Sequence, residues 1–153
     1  MSSNGGSEWR SSGHRLIGEI IRASERLTKA ADRFLLPWGL TAAQYDLLVV
    51  LGPHLGGMGH TQAGAELGVT RANVTGLVRR LVARGFCRVD VRIDDARAKT
   101  VRATPAGNRL LARIDGPWHE RIRRTTRGIP GHVQHRLADF AERLEPGHRA
   151  HRN

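Results

Sequence analysis

Cysteine is nearly missing from this sequence: Cys87 is alone in 153 residues, so no internal disulfide framework can hold the chain. Long apolar runs are missing too, and none approaches the ~18 residues that a membrane span needs. The opening MSSNGGSEWRSSG is polar and glycine-rich, with no hydrophobic segment able to act as a signal peptide. A cytoplasmic protein with no membrane partner is expected. Catalytic signatures are also lacking: there is no GxSxG, no HExxH and no dinucleotide fingerprint. Gly56-Gly57-Met58-Gly59 lacks the Lys-Ser/Thr of a phosphate loop. Neither an enzyme nor a cofactor is expected. Metal ligands are sparse: His132 and His135 share a helix face and His148 and His151 repeat the spacing, yet only Asp139 stands near them. These read as surface histidines, with no metal site.

Acid is the last shortage. Asp and Glu number 14 against 25 Lys and Arg, a formal net charge of +11. Between Arg71 and Arg102, nine basic residues (71, 79, 80, 84, 88, 92, 97, 99, 102) face three aspartates (90, 94, 95), so this stretch holds 9 − 3 = +6 of the excess. A concentrated positive field favours a polyanion and makes affinity fall with salt. An acidic membrane surface would suit a lone amphipathic helix, but these residues lie on a patterned motif. Double-stranded DNA is the expected partner.

That motif is centred on VTRANVTGLVRRLVARGF, residues 69–86. Thr70 can cap a helix, its hydroxyl accepting from a backbone N–H that has no partner inside the helix. Val74, Leu77, Val78, Leu81 and Val82 recur at three- and four-residue spacing and predict an apolar stripe. The other face carries Ala72, Asn73, Thr75, Gly76, Arg79 and Arg80, small enough to let a helix approach base edges. Gly85 is placed to end the helix in a left-handed conformation. Upstream, Thr61 to Leu67 reads as a short helix, and Leu67-Gly68-Val69-Thr70 as the turn between the two. Helix, turn, helix sets the second helix in the major groove. Downstream, Phe86 to Arg92 and Thr100 to Ala103 alternate as strands around IDDARAK, which makes a wing whose arginines can reach phosphates or a minor groove.

GVTRANVTGLVRRLVARGF, then Asp95-Ala96-Arg97, then ATPAGNRLL, resembles the MarR family of dimeric winged-helix transcription regulators. The Asp-x-Arg wing followed by Thr104-Pro105-Ala106-Gly107 is the most specific part, and the likeness spans about His14 to Leu144. The chain departs from it at Gly76, where many relatives carry a base-reading arginine, and at Ala63-Gly64, where Leu-Ala is usual. The resemblance implies that Arg97 enters the minor groove and that the chain dimerises through its terminal helices. It also implies a small aromatic or phenolic acid that weakens DNA binding, with Trp38, Tyr45, His54 and Trp118 as candidate lining residues. Plain core packing is the alternative for those four. Relatives that bind urate use a set that Trp9, Asp46 and Arg97 would match here. Peroxide-sensing relatives carry a cysteine near the start of the first helix; Cys87, at the start of a strand, reads instead as a buried apolar residue.

The expected fold is mainly α with a small antiparallel β wing. A winged helix-turn-helix over about 40–104 is flanked by dimerisation helices at about 13–36 and 105–145, all within a single domain over 13–145. Residues 1–12 are expected to be a disordered tail and 146–153 a basic one. The first helix has Leu16, Ile17, Ile20, Ile21, Leu27, Ala31, Phe34 and Leu35 as its apolar face. Thr41 caps the second, with Tyr45, Leu47, Leu48 and Leu51 inward, and HLGGMGH leaves room for one short strand. Thr104-Pro105 opens a long helix to about Arg127, proline standing where its missing N–H costs nothing. Val133, Leu137, Phe140 and Leu144 form a seam on the last helix. Apolar faces on the terminal helices exceed what a small winged-helix core can cover, which predicts a homodimer reading a near-palindromic operator.

Thr70, Arg71, Asn73 and Thr75 are the candidates for base edges or flanking phosphates, since Asn and Arg can pair in bidentate fashion with adenine and guanine. Arg79, Arg80 and Lys99 are candidate DNA contacts, with solvated surface charge as the alternative for the two arginines. Asp95 is expected to orient Arg97 by a charge-assisted bond, with an intra-wing salt bridge alone as the alternative. A ligand-released repressor is the expected function. The alternative is an architectural DNA binder without an effector.

Overall fold

The computed structural model describes the backbone of residues 5–91 and 99–144, and the side chains of 12–91 and 99–143. The wing tip with Asp95 and Arg97, the basic tail from 146, the side chains of Trp9 and Leu144, and the first four residues lie outside that range. The chain divides into two compact units, Met1–Ala112 and Arg113–Asn153.

The first unit opens with α1 (Gly5–Leu35), followed by a short 3₁₀ turn, Leu36–Trp38. This helix starts well before the expected Gly13. Residues 5–12 carry no apolar periodicity, so the pattern that marks the rest of α1 cannot show its beginning. Leu35 is fully buried, whereas Leu16, Ile17, Ile21 and Leu27 are 43–57% exposed. Next comes α2 (Ala42–Leu51), capped as expected: the Thr41 hydroxyl accepts from Gln44 N–H, and the Gln44 side chain accepts from Thr41 N–H. Asp32 of α1 accepts from Ala42 N–H at 2.7 Å, tying the two helices through one more donor of the α2 first turn. Tyr45, Leu47, Leu48 and Leu51 all face the core.

The core is completed by β1 (Met58–Gly59), α3 (His60–Leu67), α4 (Arg71–Ala83), β2 (Cys87–Val91) and β3 (Lys99–Ala103). The three strands form an antiparallel sheet in the order β1-β3-β2. Met58 stands opposite Val101, and Val89 is opposite the same residue from the other side. Met58, Val74, Leu81 and Val101 are buried almost completely beneath the helices. The sheet thus fixes the wing strands against the base of the helix-turn-helix.

The last helix of this unit, α5 (Pro105–Thr125), crosses the boundary between the two. Its start explains the Thr-Pro-Ala-Gly sequence. The Thr104 hydroxyl donates to Gly85 C=O at 2.6 Å and accepts from Gly107 N–H at 3.1 Å. Thr104 N–H donates to Phe86 C=O at 3.0 Å. Gly107 lies so close to that carbonyl that a Cβ would sit 2.3 Å from the oxygen. The helix is therefore seated on the turn that joins α4 to β2.

In the second unit, α5 continues to Thr125 through an interior Pro117 and is followed by α6 (Gly131–Leu144). Glu120 pairs with Arg123 and Arg124, and the bond from Arg124, aided by Arg123, holds its carboxyl below the usual range. His119 sits 3.2 Å from Asp115, one turn back. On α6, Leu137 is 56% exposed. Among the described residues no single helix is long and apolar enough to cross a membrane.

Candidate nucleic-acid interface

Local chemistry builds the helix-turn-helix from both ends. At the close of α3, Gly68 adopts φ 64°, and Val69 N–H reaches back to Gly64 C=O at 2.9 Å. The approach is so tight that a Cβ on Gly64 would lie 2.7 Å from Val69 C=O, which gives a physical reason for glycine in the Ala63-Gly64 pair. Thr70 then caps α4, its hydroxyl accepting from Asn73 N–H at 3.3 Å. At the far end Gly85, at φ 74°, closes a Schellman arrangement in which Phe86 N–H bonds Leu81 C=O and Gly85 N–H bonds Val82 C=O, each at 2.9 Å.

Between those ends α4 has two faces. Val74, Leu77, Val78 and Leu81 are buried. Val82, expected in the same stripe, is 40% exposed, because it falls on the flank shared with Arg71 and Thr75. Arg71, Ala72, Asn73, Thr75, Arg79 and Arg80 are exposed and Gly76 is half-buried. The Thr75 hydroxyl donates to Arg71 C=O at 3.0 Å, so its oxygen lone pairs and methyl remain for a partner. Nothing lies within 4 Å of a Cβ placed on Gly76, leaving a shallow crest along Ala72, Gly76 and Ala83.

The basic residues divide into those already bonded and those free. Arg84 donates to Trp38 C=O at 3.0 Å and to Gly39 C=O, and its guanidinium lies 4.8 Å from the Phe86 ring centroid. Arg102 lies 2.6 Å from Asp90 in a charge contact not aligned as a hydrogen bond, and it donates to Leu55 C=O at 3.1 Å. Arg88 stands 3.5 Å from the same Asp90. Arg71, Arg79, Arg80 and Lys99 have no ion-pair partner among the described residues, and all are exposed. Among the described residues these last cations leave an uncompensated field around α4 and the start of wing strand β3, which an array of phosphates would neutralise.

Arg84 and Arg102 belong to the charge excess read from the sequence, and nothing local marks them as internally bonded. Their roles depend on carbonyls some 45 residues away in sequence, a distance no local pattern spans. Asp32 was missed for the same reason. The internal bonds of Arg84 would have been suspected only from its place between Ala83 and Gly85, at the very end of a helix that stops there.

The other expected site residues are scattered. Trp38 is half-buried and leans on Phe34, with centroids 5.3 Å apart at 44°. Tyr45 belongs to the core at 7% exposure, His54 is exposed in the turn after α2, and Trp118 is half-buried on α5. Of the urate-type set, Asp46 alone has a described side chain, exposed on α2. Cys87 is buried, and burial pushes its thiol up to about 12. That is far from the thiolate a redox sensor needs. Among the described residues no group of three or more His, Cys, Asp or Glu is placed to hold a metal ion.

Comparison with known proteins converges on one description. Residues 38–98 match the MarR family model. No curated protein sequence matches the chain. Among solved structures, a MarR-family transcriptional regulator from Rhodococcus sp. RHA1 is similar at TM-score 0.77 and 23% identity, covering 86% of this chain and 94% of that one. CouR from Rhodococcus jostii RHA1, bound to p-coumaroyl-CoA, is 26% identical with TM-score 0.75, covering 84% and 90%. The M. tuberculosis regulator MosR, in complex with DNA, is 25% identical with TM-score 0.70, covering 84% and 94%.

Proposed function

We propose that this chain, which matches the MarR family model over residues 38–98 and is similar in fold to a solved MarR-family regulator, is a MarR-type transcription regulator, a dimeric repressor acting in the cytoplasm. It binds a near-palindromic operator and leaves it when a small aromatic or phenolic acid, free or as a thioester, binds. The observation that carries the DNA reading is the set of cations Arg71, Arg79, Arg80 and Lys99, which have no ion-pair partner among the described residues, around a helix whose apolar face is already buried. Thr70, Asn73 and Thr75 on its first turns are proposed to meet base edges or flanking phosphates. Arg97, oriented by Asp95, is proposed for the minor groove.

The dimer reading is supported by the exposed apolar residues of α1, which soluble chains ordinarily cover. The effector reading is supported by CouR, a similar protein whose structure holds p-coumaroyl-CoA. Trp38, Tyr45 and His54 are the residues proposed to meet the ring.

The test is a titration of the full chain against its own upstream intergenic DNA, with scrambled duplex as competitor, at two salt concentrations. Binding at least ~10³-fold tighter than to scrambled DNA, persisting at physiological salt, is expected. p-Coumaroyl-CoA or a phenolic acid should then release the complex. Equal affinity for scrambled DNA that vanishes with salt would instead make the chain an architectural binder.

A further inference from the structure

We propose that His60, with Lys99 and Arg71, forms a seat for one backbone phosphate of the DNA duplex, and that His60 occupies it in the protonated form. The proposal rests on the DNA-binding reading above and adds to it a residue that neither motif nor charge count singled out.

The seat follows from topology. His60 is the first residue of α3, immediately after β1. In the β1–β3 register Met58 faces Val101 and Gly59 faces Thr100, so His60, one residue past the ladder, starts near Lys99, whose charge acts on it. Arg71 is the first residue of α4, and the tight Gly64–Val69 turn brings the start of α4 back against α3. Three nitrogen-bearing side chains thus emerge from the beginnings of three elements at one edge of the DNA-facing surface.

Among the described residues the charges around His60 are unbalanced. Arg71 from α4 and Lys99 from β3 both act on it, and β1 carries no charged residue. Asp46, the charged residue of α2, and Glu66, toward the other end of α3, are not among the groups that move it. Partial burial first, then Arg71 and Lys99, hold the ring below its ordinary value of 6.5. A phosphate among the three side chains would supply the missing negative charge, accept hydrogen bonds from all of them and favour the imidazolium.

The signs for free and bound protein are opposite. In the free protein the folded-state value is depressed, so the unfolded chain binds more protons. The stability tied to neutral His60 is then complete above about 6.5 and lost as pH falls through that value toward the folded one. In the complex the phosphate raises the value, so binding takes up a proton. Affinity therefore rises on acidification, by at most about tenfold per pH unit for one proton.

The experiment measures affinity of the full chain for a duplex of its own upstream sequence and for a random duplex, from about pH 8 to about pH 5.5. Wild type and His60→Gln are compared, with thermal melting of each alone. Wild type should gain roughly three- to tenfold more affinity on acidification than His60→Gln, with the two nearly equal at the alkaline end. The gain should appear on both duplexes, because a phosphate contact carries no sequence information. His60→Lys, charged throughout, should bind at the alkaline end about as tightly as wild type does in acid. Identical pH profiles for wild type and His60→Gln would overturn the seat while leaving the DNA reading intact. Absence of DNA binding by every variant at every pH would overturn that reading, and the seat with it.

Discussion

Replacing Arg84 with alanine removes its bonds to the Trp38 and Gly39 carbonyls and its place over the Phe86 ring. Hydrogen bonds from a charged donor contribute about 1.5–3 kcal/mol when well shielded. This side chain is exposed, so about 1–2 kcal/mol of lost stability in urea unfolding is expected for Arg84→Ala. Arg84→Lys should recover little, because an ammonium cannot reproduce the fork that engages both carbonyls. Arg79→Ala offers the contrast. It touches no described partner, so folding should be unchanged while the salt slope of DNA binding drops by about 1. An equal drop for Arg84→Ala would show that its guanidinium leaves the carbonyls for DNA. Gly107→Ala is the harshest single change at this scale, since its Cβ would meet the fixed Phe86 carbonyl at 2.3 Å. A loss on the order of 2–3 kcal/mol is expected from such overpacking, and a melting temperature equal to wild type would contradict the seating of α5 on that carbonyl.

At the scale of elements, α4 was legible because its apolar period, its threonine cap and its terminal glycine agree with one another. The capped start of α2 was legible for the same reason. β1 could be anticipated only as room in a glycine-rich loop: two residues have no period, and Met58–Gly59 becomes a strand through pairing with β3. The early start of α1 shows the opposite limit, where helix persists without a local signal for it, whereas α5 runs through Pro117 to Thr125, close to its expected end near Arg127. The site was half legible. Exposed α4 residues stand where the pattern put them, but which arginines remain free depends on tertiary partners.

Gly76 tests what the crest of α4 is for. A Cβ there meets nothing within 4 Å, so Gly76→Ala should stabilise the fold by roughly 0.5–1 kcal/mol through backbone entropy alone. Operator affinity should nevertheless fall several-fold if the crest approaches base edges, with binding to scrambled DNA unchanged. Because the variant is expected to be more stable than wild type, such a loss cannot be assigned to unfolding. Unchanged operator affinity would mean that α4 stands off the bases and reads them through its flanks.

For the whole molecule, the exposed face of α1 is decisive. Leu16, Ile17, Ile21 and Leu27 are each 43–57% exposed in the single chain, and their spacing keeps them on one side of the helix. In the proposed dimer a second copy of the chain would cover such a face, and a two-fold axis would place each residue in the interface twice. Burying an isoleucine or leucine side chain contributes about 1.5–3 kcal/mol, so losing one pair of symmetric contacts costs about 3 kcal/mol or more. Ile21→Asp or Leu27→Asp should therefore raise the dimer dissociation constant on the order of 100-fold. Each chain on its own should stay folded, because neither residue belongs to the core around Leu47, Leu48 and Leu51. Sedimentation at micromolar concentration should then report monomer with helix content retained. Operator binding should weaken far more than binding to a single half-site, since one monomer still carries Arg71, Asn73 and the cations around them. If both variants remain dimers of wild-type affinity, the exposed face of α1 is covered by something other than its own copy. A dimer that persists but no longer binds the operator would instead place α1 in setting the distance between the two α4 helices.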